Sequence, residues 1–115
     1  MTGSRSLALN YALDNQEKFL EELCDFLTIP SISTNPDQNK EMQQAAEWVA
    51  EKLRACEMAN VQIFPTEGHP VVFGESLTAG TNAQTVLIYG HYDVQPPEPL
   101  DLWESGPFEP DQRGE

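Results

Sequence analysis

The sequence has little positive charge. Six lysines and arginines stand against 19 aspartates and glutamates, which gives a formal net charge of -13 over 115 residues. Residues 58–115 hold one cation, Arg113, against nine carboxylates. Such an imbalance repels phosphate backbones and anionic lipid headgroups. The composition therefore argues against nucleic acid and against an anionic membrane surface as partners, and it is typical of a solvated acidic surface.

Cysteine is also scarce. Cys24 and Cys56 are the only two, and they form no C-x-x-C pair of the kind that binds zinc or exchanges disulfides. Both fall on the apolar side of predicted helices, where a free thiol behaves as a small hydrophobe. We therefore expect two core residues and no disulfide.

Long apolar runs are missing as well. None approaches the roughly 20 residues of a membrane-spanning helix, and the first residues lack the charged-then-apolar layout of a secretory signal. A hydrophobic content of 39% and a charged content of 22% are typical of a folded domain. We expect one modest globular domain with no membrane partner, located in the cytoplasm.

The first half of the chain predicts two amphipathic helices. Between Leu7 and Leu27 apolar residues recur at near-helical intervals, and Pro30 ends this element because a residue before proline leaves the α region. The following loop contains Ser31 and Ser33. No G-x-S-x-G elbow accompanies them, so local backbone capping is the expected role of both serines.

The second helix has the clearest pattern in the chain. It begins around Asn35, with Asp37 as N-cap, and keeps apolar residues at i, i+3, i+4 and i+7 as far as Cys56. Trp48 lies off this stripe. We expect it either to cover a neighbouring loop or to contact sequence not present in this chain.

The second half of the chain predicts strands. Val61–Phe64 and Val71–Gly74 form a hairpin-like pair, and the turn between them carries His69 as a loop residue. The run Thr85–Gly90 is rich in β-branched and aromatic residues without polar alternation, which is typical of a strand covered on both faces in a parallel sheet. These patterns predict an α/β fold with a mixed, centrally parallel sheet flanked by helices.

A histidine and an aspartate follow this predicted central strand. His91 and Asp93 are two positions apart, which on extended chain places both side chains on one face, at the strand end where α/β proteins bind ligands. A neutral imidazole binds a metal through one nitrogen, while a carboxylate commonly holds its other N–H. By itself an H-x-D pattern is more often a histidine satisfied by hydrogen bonds, so both interpretations stay open at this point.

The surrounding run decides between them. The segment Tyr-Gly-His-Tyr-Asp-Val-Gln-Pro at 89–96, followed by Trp103 and by Ser-Gly-Pro-Phe-Glu-Pro at 105–110, resembles the first metal-site segment of the carnosinase-like dipeptidases. These belong to the dinuclear zinc metallopeptidases, with the aminoacylases, succinyl-diaminopimelate desuccinylases and glutamate carboxypeptidases. The runs at 29–33 (Ile-Pro-Ser-Ile-Ser) and 68–72 (Gly-His-Pro-Val-Val) also look like landmarks of that family.

The resemblance implies roles for two residues. His91 would be a ligand of one of two divalent metal ions, most often zinc but with cobalt or manganese as alternatives, and Asp93 would orient and polarise that histidine in catalysis. The other ligands and the general base of the family would lie downstream of residue 115. We therefore expect residues 1–115 to be the N-terminal portion of the catalytic domain, either as a chain that occurs naturally at this length or as a truncated one. By itself this portion should be inactive.

The resemblance also implies a reaction. The expected activity of the full-length protein is metal-dependent hydrolysis of dipeptides or short peptides, with a homodimer possible through parts not present here. Hydrolysis of N-acyl amino acids is the alternative within the enzyme class. A short, non-catalytic binding or assembly module on the same scaffold is the alternative outside it.

Overall fold

Three helices and one β-hairpin make up the regular structure of residues 2–114 in the computed structural model. No helix among these residues is long and apolar enough to cross a lipid bilayer. The elements, in chain order, are α1 (Thr2–Asp14), α2 (Gln16–Leu27), a 3-10 turn (Pro36–Gln38), α3 (Asn39–Ala55), β1 (Ala59–Phe64), β2 (Val71–Glu75) and a second 3-10 turn (Leu100–Leu102).

The hairpin confirms the predicted strand pair. β1 and β2 are antiparallel, with Phe64 opposite Val71 and Ala59 opposite Glu75, and an irregularity interrupts the ladder between Ala59 and Gln62. The two strands are two residues and one residue longer than the sequence pattern indicates. Local alternation and flanking prolines were sufficient to locate this element.

Helix α3 provides most of the buried core. Its fully buried residues are Met42, Ala45, Ala46 and Ala50, at 0 to 2% exposure, and this helix contacts both strands of the hairpin. Small side chains on the buried stripe permit close packing, and the hairpin supplies a glycine where the approach is tightest. A Cβ on Gly74 would lie 3.2 Å from Leu53 Cδ1. The predicted apolar stripe of the second helix is thus confirmed from Met42 to Ala50.

Replacing Met42 by alanine is expected to destabilise the protein by about 2–5 kcal/mol, because the deletion leaves a cavity in a core that cannot fully collapse. Urea unfolding followed by circular dichroism measures the change. Gln44→Ala on the exposed face of the same helix is the matched control and should stay within about 0.5 kcal/mol of wild type. Equal stabilities of the two variants would contradict the assignment of Met42 to the core.

Helices α2 and α3 are joined through aromatic and ionic contacts. The Phe26 and Trp48 rings stack with centroids 4.6 Å apart and 27° between their planes. Lys52 Nζ lies 5.0 Å from the Trp48 ring centroid and donates a hydrogen bond of 3.0 Å to Glu22 Oε1. Trp48 therefore packs against a neighbouring helix and not against a loop, while the alternative of a contact with sequence not present in this chain stays a prediction.

The predicted helix between Leu7 and Leu27 is divided at Asn15. Asn15 has φ -115° and ψ 17°, outside the helical region, and its side chain donates to the Tyr11 carbonyl oxygen at 2.8 Å, beside the backbone bond to the same oxygen at 3.1 Å. In α1 the apolar residues are spaced two apart, so a helix scatters them around its axis instead of gathering them on one face. Four of them, Leu7, Leu9, Tyr11 and Leu13, are 56 to 71% exposed.

The start of the second helix also differs from the prediction. Asn35, not Asp37, is the capping residue: its side-chain oxygen accepts a hydrogen bond of 3.1 Å from the Asp37 backbone N–H. Pro36 opens a 3-10 turn, and α3 proper begins at Asn39. The proline fixes φ at the first turn position, which makes the residue before it the cap.

The two cysteines are less buried than expected. Cys24 is half-buried on α2, and Cys56 is exposed. Cys56 is the C-cap of α3, beyond the part of the helix that the hairpin covers, so the apolar stripe continues in sequence after the packing surface has ended. Both thiols are free, as predicted.

The central strand expected at 85–90 is not formed in the part of the chain that the structure describes. Val86, Leu87, Ile88 and Tyr89 are 80 to 89% exposed, although the sequence predicted burial on both faces. A strand needs neighbours that satisfy its backbone groups. Outside the hairpin, residues 2–114 offer one isolated parallel bridge, between Ile32 and Val94, so a mixture of helix and strand is observed but a central parallel sheet is not.

Candidate metal centre

Three stretches distant in sequence meet around the predicted site. They are the loop after α2 at 29–35, the hairpin turn at 65–70 and the segment at 91–94. The parallel bridge between Ile32 and Val94 is the centre of this meeting, and the Val94 N–H donates to the Ser31 carbonyl oxygen at 2.9 Å. Ile29, Ser31 and Ile32 are buried at 2 to 6% exposure. The buried loop after α2 thus supports the segment at 91–94 through these backbone contacts.

The hydroxyl of Ser31 adds a second connection between the loop after α2 and the segment at 91–94. It donates a hydrogen bond of 3.1 Å to the Tyr92 carbonyl oxygen. The residue is 2% exposed, so its hydroxyl needs a partner inside the protein. The backbone of the segment is therefore held on either side of Asp93, at residues 92 and 94.

The two predicted site residues are in direct contact. His91 Nδ1 lies 3.0 Å from Asp93 Oδ1 and 3.1 Å from the Asp93 carbonyl oxygen. An ionised carboxylate can only accept hydrogen bonds, so Nδ1 carries the proton. The neutral imidazole then has its lone pair on Nε2, and the His91 side chain is 76% exposed. The geometry leaves the second ring nitrogen, Nε2, open to the outside.

The second oxygen of Asp93 is also occupied. Ser33 Oγ donates to Asp93 Oδ2 at 2.6 Å. This hydrogen bond, followed by that from His91, holds the pKa of the Asp93 carboxyl below its ordinary value, against an opposing effect of partial burial. Since its folded-state pKa is lowered, ionised Asp93 contributes stability above its ordinary pKa, and this contribution is lost as the pH falls through the lowered value.

The hairpin turn holds the site from the other side. Tyr92 Oη donates to the Pro70 carbonyl oxygen at 2.6 Å, and His69 Nε2 lies 2.7 Å from the Ser33 carbonyl oxygen, to which it donates. Burial, and then the negative charge of Asp93, raise the pKa of the Tyr92 phenol. The phenol therefore stays protonated and remains a donor.

Removing the Tyr92 hydroxyl is expected to lower the free energy of unfolding by about 1 kcal/mol, the usual net contribution of one hydrogen bond, with a further cost for the Pro70 carbonyl left without its donor. Chemical denaturation of Tyr92→Phe measures the loss. Tyr89→Phe is the control, because Tyr89 is 89% exposed. A Tyr92→Phe protein as stable as Tyr89→Phe would show that this bond does not hold the hairpin turn to the site.

The structure thus brings the two predicted side chains together, while their roles toward a metal stay predictions. The donor chemistry suits one metal ligand with an outer carboxylate, because Asp93 holds the N–H of the ring and leaves Nε2 free. Within residues 2–114 no group of three or more histidine, cysteine, aspartate or glutamate side chains gathers in a way that could enclose an ion. The described residues therefore do not form a complete metal site by themselves.

Two residues of the site were missed by the sequence interpretation. Ser31 and Ser33 were expected to cap local backbone, but both bond to the segment some sixty residues later in the chain. His69, expected to be a loop residue, lies in the hairpin turn and bonds to Ser33. The signal that could have found the serines is their place in the Ile-Pro-Ser-Ile-Ser run, which carried part of the family resemblance.

The chain is similar in sequence to dipeptidases and to a desuccinylase. It is 31% identical over 100 residues to the cysteinylglycine-S-conjugate dipeptidase of Corynebacterium striatum, which covers 86% of this chain and 22% of that protein. It is 29% identical to the Cys-Gly metallodipeptidase DUG1 of Candida albicans and 30% identical to the succinyl-diaminopimelate desuccinylase of Xylella fastidiosa, over 79% and 82% of the chain. No family model matches.

The fold of the chain is also found in a solved structure. The di-peptidase Dug1p of Saccharomyces cerevisiae superposes with a TM-score of 0.78 over 95% of this chain and 25% of that one, at 24% sequence identity. At this identity the match establishes the fold. The chain spans about a fifth of the length of the curated relatives it matches.

Proposed function

We propose that this chain, a relative of the metallodipeptidases and of a desuccinylase over about a fifth of their length, supplies the first metal-ligand segment of a metal-dependent dipeptidase. The observation that carries the proposal is the pair of hydrogen bonds around Asp93. They fix a histidine with its second nitrogen free, at the surface of the described residues. The full-length protein would hydrolyse the amide bond of dipeptides or short peptides.

The proposal of a metal cofactor is supported by the name of one of these relatives, the Cys-Gly metallodipeptidase DUG1 of Candida albicans. We infer two divalent metal ions, zinc in the first place and cobalt or manganese as alternatives. His91 would bind one of them through Nε2, and Asp93 would hold the ring from behind. When bound, such ions polarise an amide carbonyl and lower the pKa of water so that it becomes a nucleophile.

The residues of this chain contribute to the reaction by orientation. Asp93 keeps the proton of the His91 ring on Nδ1, which leaves Nε2 to act as the ligand and holds the ring in one orientation. The loop at 29–35 and the hairpin turn hold the segment at 91–94 in place through hydrogen bonds. The orientation of the His91 ring therefore does not depend on a bound metal. Preorganisation of this kind lowers the cost of ordering the site.

One ligand is not sufficient for catalysis. Catalytic zinc sites use three protein ligands and an open position. The remaining ligands and the general base would belong to the larger part of the relatives that this chain does not match, and residues 1–115 by themselves should not hydrolyse peptides. A cytoplasmic location and a homodimer remain predictions from the sequence.

The experiment that tests the proposal uses the full-length gene product. Metal content is measured by mass spectrometry after purification without chelators, and hydrolysis of Cys-Gly is followed with zinc, manganese and cobalt. We expect bound divalent metal and activity that is lost with a chelator and restored by the metal. A protein that binds no divalent metal, or hydrolyses no dipeptide in any of the three metals, would overturn the proposal.

A deacylase is the second candidate within the enzyme class, because the desuccinylase relative is about as similar as the first dipeptidase, at 30% and 31% identity. The same assay separates the two when Cys-Gly and succinyl-diaminopimelate are compared as substrates. We expect the larger kcat/KM for the dipeptide. The reverse order would favour the deacylase.

A non-catalytic assembly module is the candidate from another class, and the exposed apolar run at 86–89 favours it. Such a run could pair with another chain through its free backbone groups. Mass spectrometry of the protein from its native cells decides this point. A species near 12.9 kDa would support a separate short protein, whereas a several-fold larger species supports the enzyme.

A further inference from the structure

We propose that Ser33 is a positioning residue of this site: its hydroxyl holds the Asp93 carboxylate in the orientation that keeps the His91 proton on Nδ1. The effect on catalysis rests on the function proposed above. The effect on the histidine does not, because it follows from the geometry of three side chains. Ser33 contacts no reacting atom in this arrangement and acts through Asp93.

The two oxygens of Asp93 have one side-chain donor each. Oδ2 accepts from Ser33 Oγ at 2.6 Å and Oδ1 accepts from His91 Nδ1 at 3.0 Å. A carboxylate held at one oxygen has little freedom to rotate about χ2, so the second oxygen points in a fixed direction. Without the serine, Asp93 could turn its carboxylate oxygens away from the ring. The Asp93 carbonyl oxygen, 3.1 Å from Nδ1, would then be the remaining acceptor, and a fraction of the His91 rings could move the proton to Nε2, the nitrogen needed by a metal.

The serine is itself held on the side away from Asp93. Its carbonyl oxygen accepts from His69 Nε2 at 2.7 Å, and the two residues before it, Ser31 and Ile32, are buried. The loop after α2 and the hairpin turn therefore hold the Ser33 hydroxyl in place together. A short, charge-assisted O–H···O bond from a hydroxyl held in this way is among the stronger hydrogen bonds in proteins.

A purely structural role is the competing explanation, since any hydrogen bond between the loop and the segment at 91–94 would help to hold them together. Ser31 provides the matched control. Its hydroxyl also links the loop to the segment, at 3.1 Å from the Tyr92 carbonyl oxygen, but it touches neither His91 nor Asp93. Ser31→Ala and Ser33→Ala should both lower stability, and only the second should disturb the histidine.

The tautomer of His91 is the direct readout. Nitrogen NMR of the metal-free, full-length protein with labelled histidine, recorded at alkaline pH where imidazoles are neutral, distinguishes Nδ1–H from Nε2–H. We expect the Nδ1–H form in wild type, Ser31→Ala and Ser33→Thr, and a substantial Nε2–H population in Ser33→Ala. Ser33→Cys, close in size but a weak donor, is expected to shift in the same direction should the alanine variant fold poorly. An unchanged tautomer in the foldable variants would overturn the proposal.

Metal affinity and kinetics provide the second readout. For Ser33→Ala we expect losses of about tenfold in zinc affinity and in kcat, which is the lower end of the effects seen when a residue that orients a metal ligand is removed. KM for the dipeptide should stay unchanged, and Ser33→Thr should restore both zinc affinity and kcat. A change in KM alone, or no rescue by threonine, would count against a positioning role. If wild type lacks peptidase activity, the proposed function fails while the tautomer still decides the role of Ser33. If wild type is active and Ser33→Ala matches it in both readouts, only the serine proposal fails.

Discussion

Replacing His91 by alanine is expected to abolish dipeptide hydrolysis and to lower the bound metal of the full-length protein. The reason is that Nδ1 of this ring is held by Asp93 at 3.0 Å, which leaves the exposed Nε2 to bind the metal. A catalytic metal that loses one of its few protein ligands is bound weakly and in the wrong geometry. Metal analysis of the purified variant, together with Cys-Gly hydrolysis at saturating zinc, measures both effects.

The chain contains its own control for this experiment. His69 is the second of its two histidines, and its ring nitrogen is occupied by the Ser33 carbonyl oxygen. His69→Ala should retain the wild-type metal content and lose no more than a few-fold in rate through a looser loop. Wild-type turnover in His91→Ala, or equal metal loss in both variants, would remove His91 from the site.

Asp93→Ala is expected to reduce the rate by about 10- to 100-fold while the protein keeps part of its metal. His91 remains as a ligand in this variant, and the backbone carbonyl oxygen of residue 93 still accepts from Nδ1, but the carboxylate that holds the ring is gone. The measurement is kcat for Cys-Gly beside the zinc content of the same sample. A rate loss with metal retained is the pattern that separates an orienting carboxylate from a ligand.

Asp101→Ala is the matched control for charge. Asp101 is an exposed carboxylate in the second 3-10 turn, and it takes part in none of the hydrogen bonds of the site. Its removal changes the net charge by the same amount as the removal of Asp93 and should leave kcat unchanged. An Asp93→Ala enzyme with wild-type kcat would show that the contact with His91 has no part in catalysis.

The sequence predicted the elements whose pattern is local. Alternating residues and flanking prolines located the hairpin, and the periodic stripe of α3 gave its buried face, including Met42 and Ala46. The prediction failed where formation depends on partners. The apolar composition of 86–89 correctly marks a segment that favours β structure, but pattern alone does not supply the neighbouring strands that would pair with it.

The same distinction applies to the site. His91 and Asp93 are two residues apart, so the sequence alone could place them on one face, and the structure has them in contact. Ser33 and His69 come from elsewhere in the chain, and only the fold brings them there. A local capping role was predicted for Ser33 because a sequence pattern shows which residues are near a serine along the chain and does not show which distant residues the fold brings to it.

The bond between Ser33 and Asp93 closes a loop of sixty residues, which has a consequence for the order of events during folding. Bringing such distant points together from a random coil costs chain entropy that the contact alone does not repay. The helix and hairpin that lie between the two points shorten the remaining search once they have folded. We therefore expect the contact between Ser33 and Asp93 to form late in folding, so that a metal ion would bind an almost fully folded protein and would not nucleate its folding.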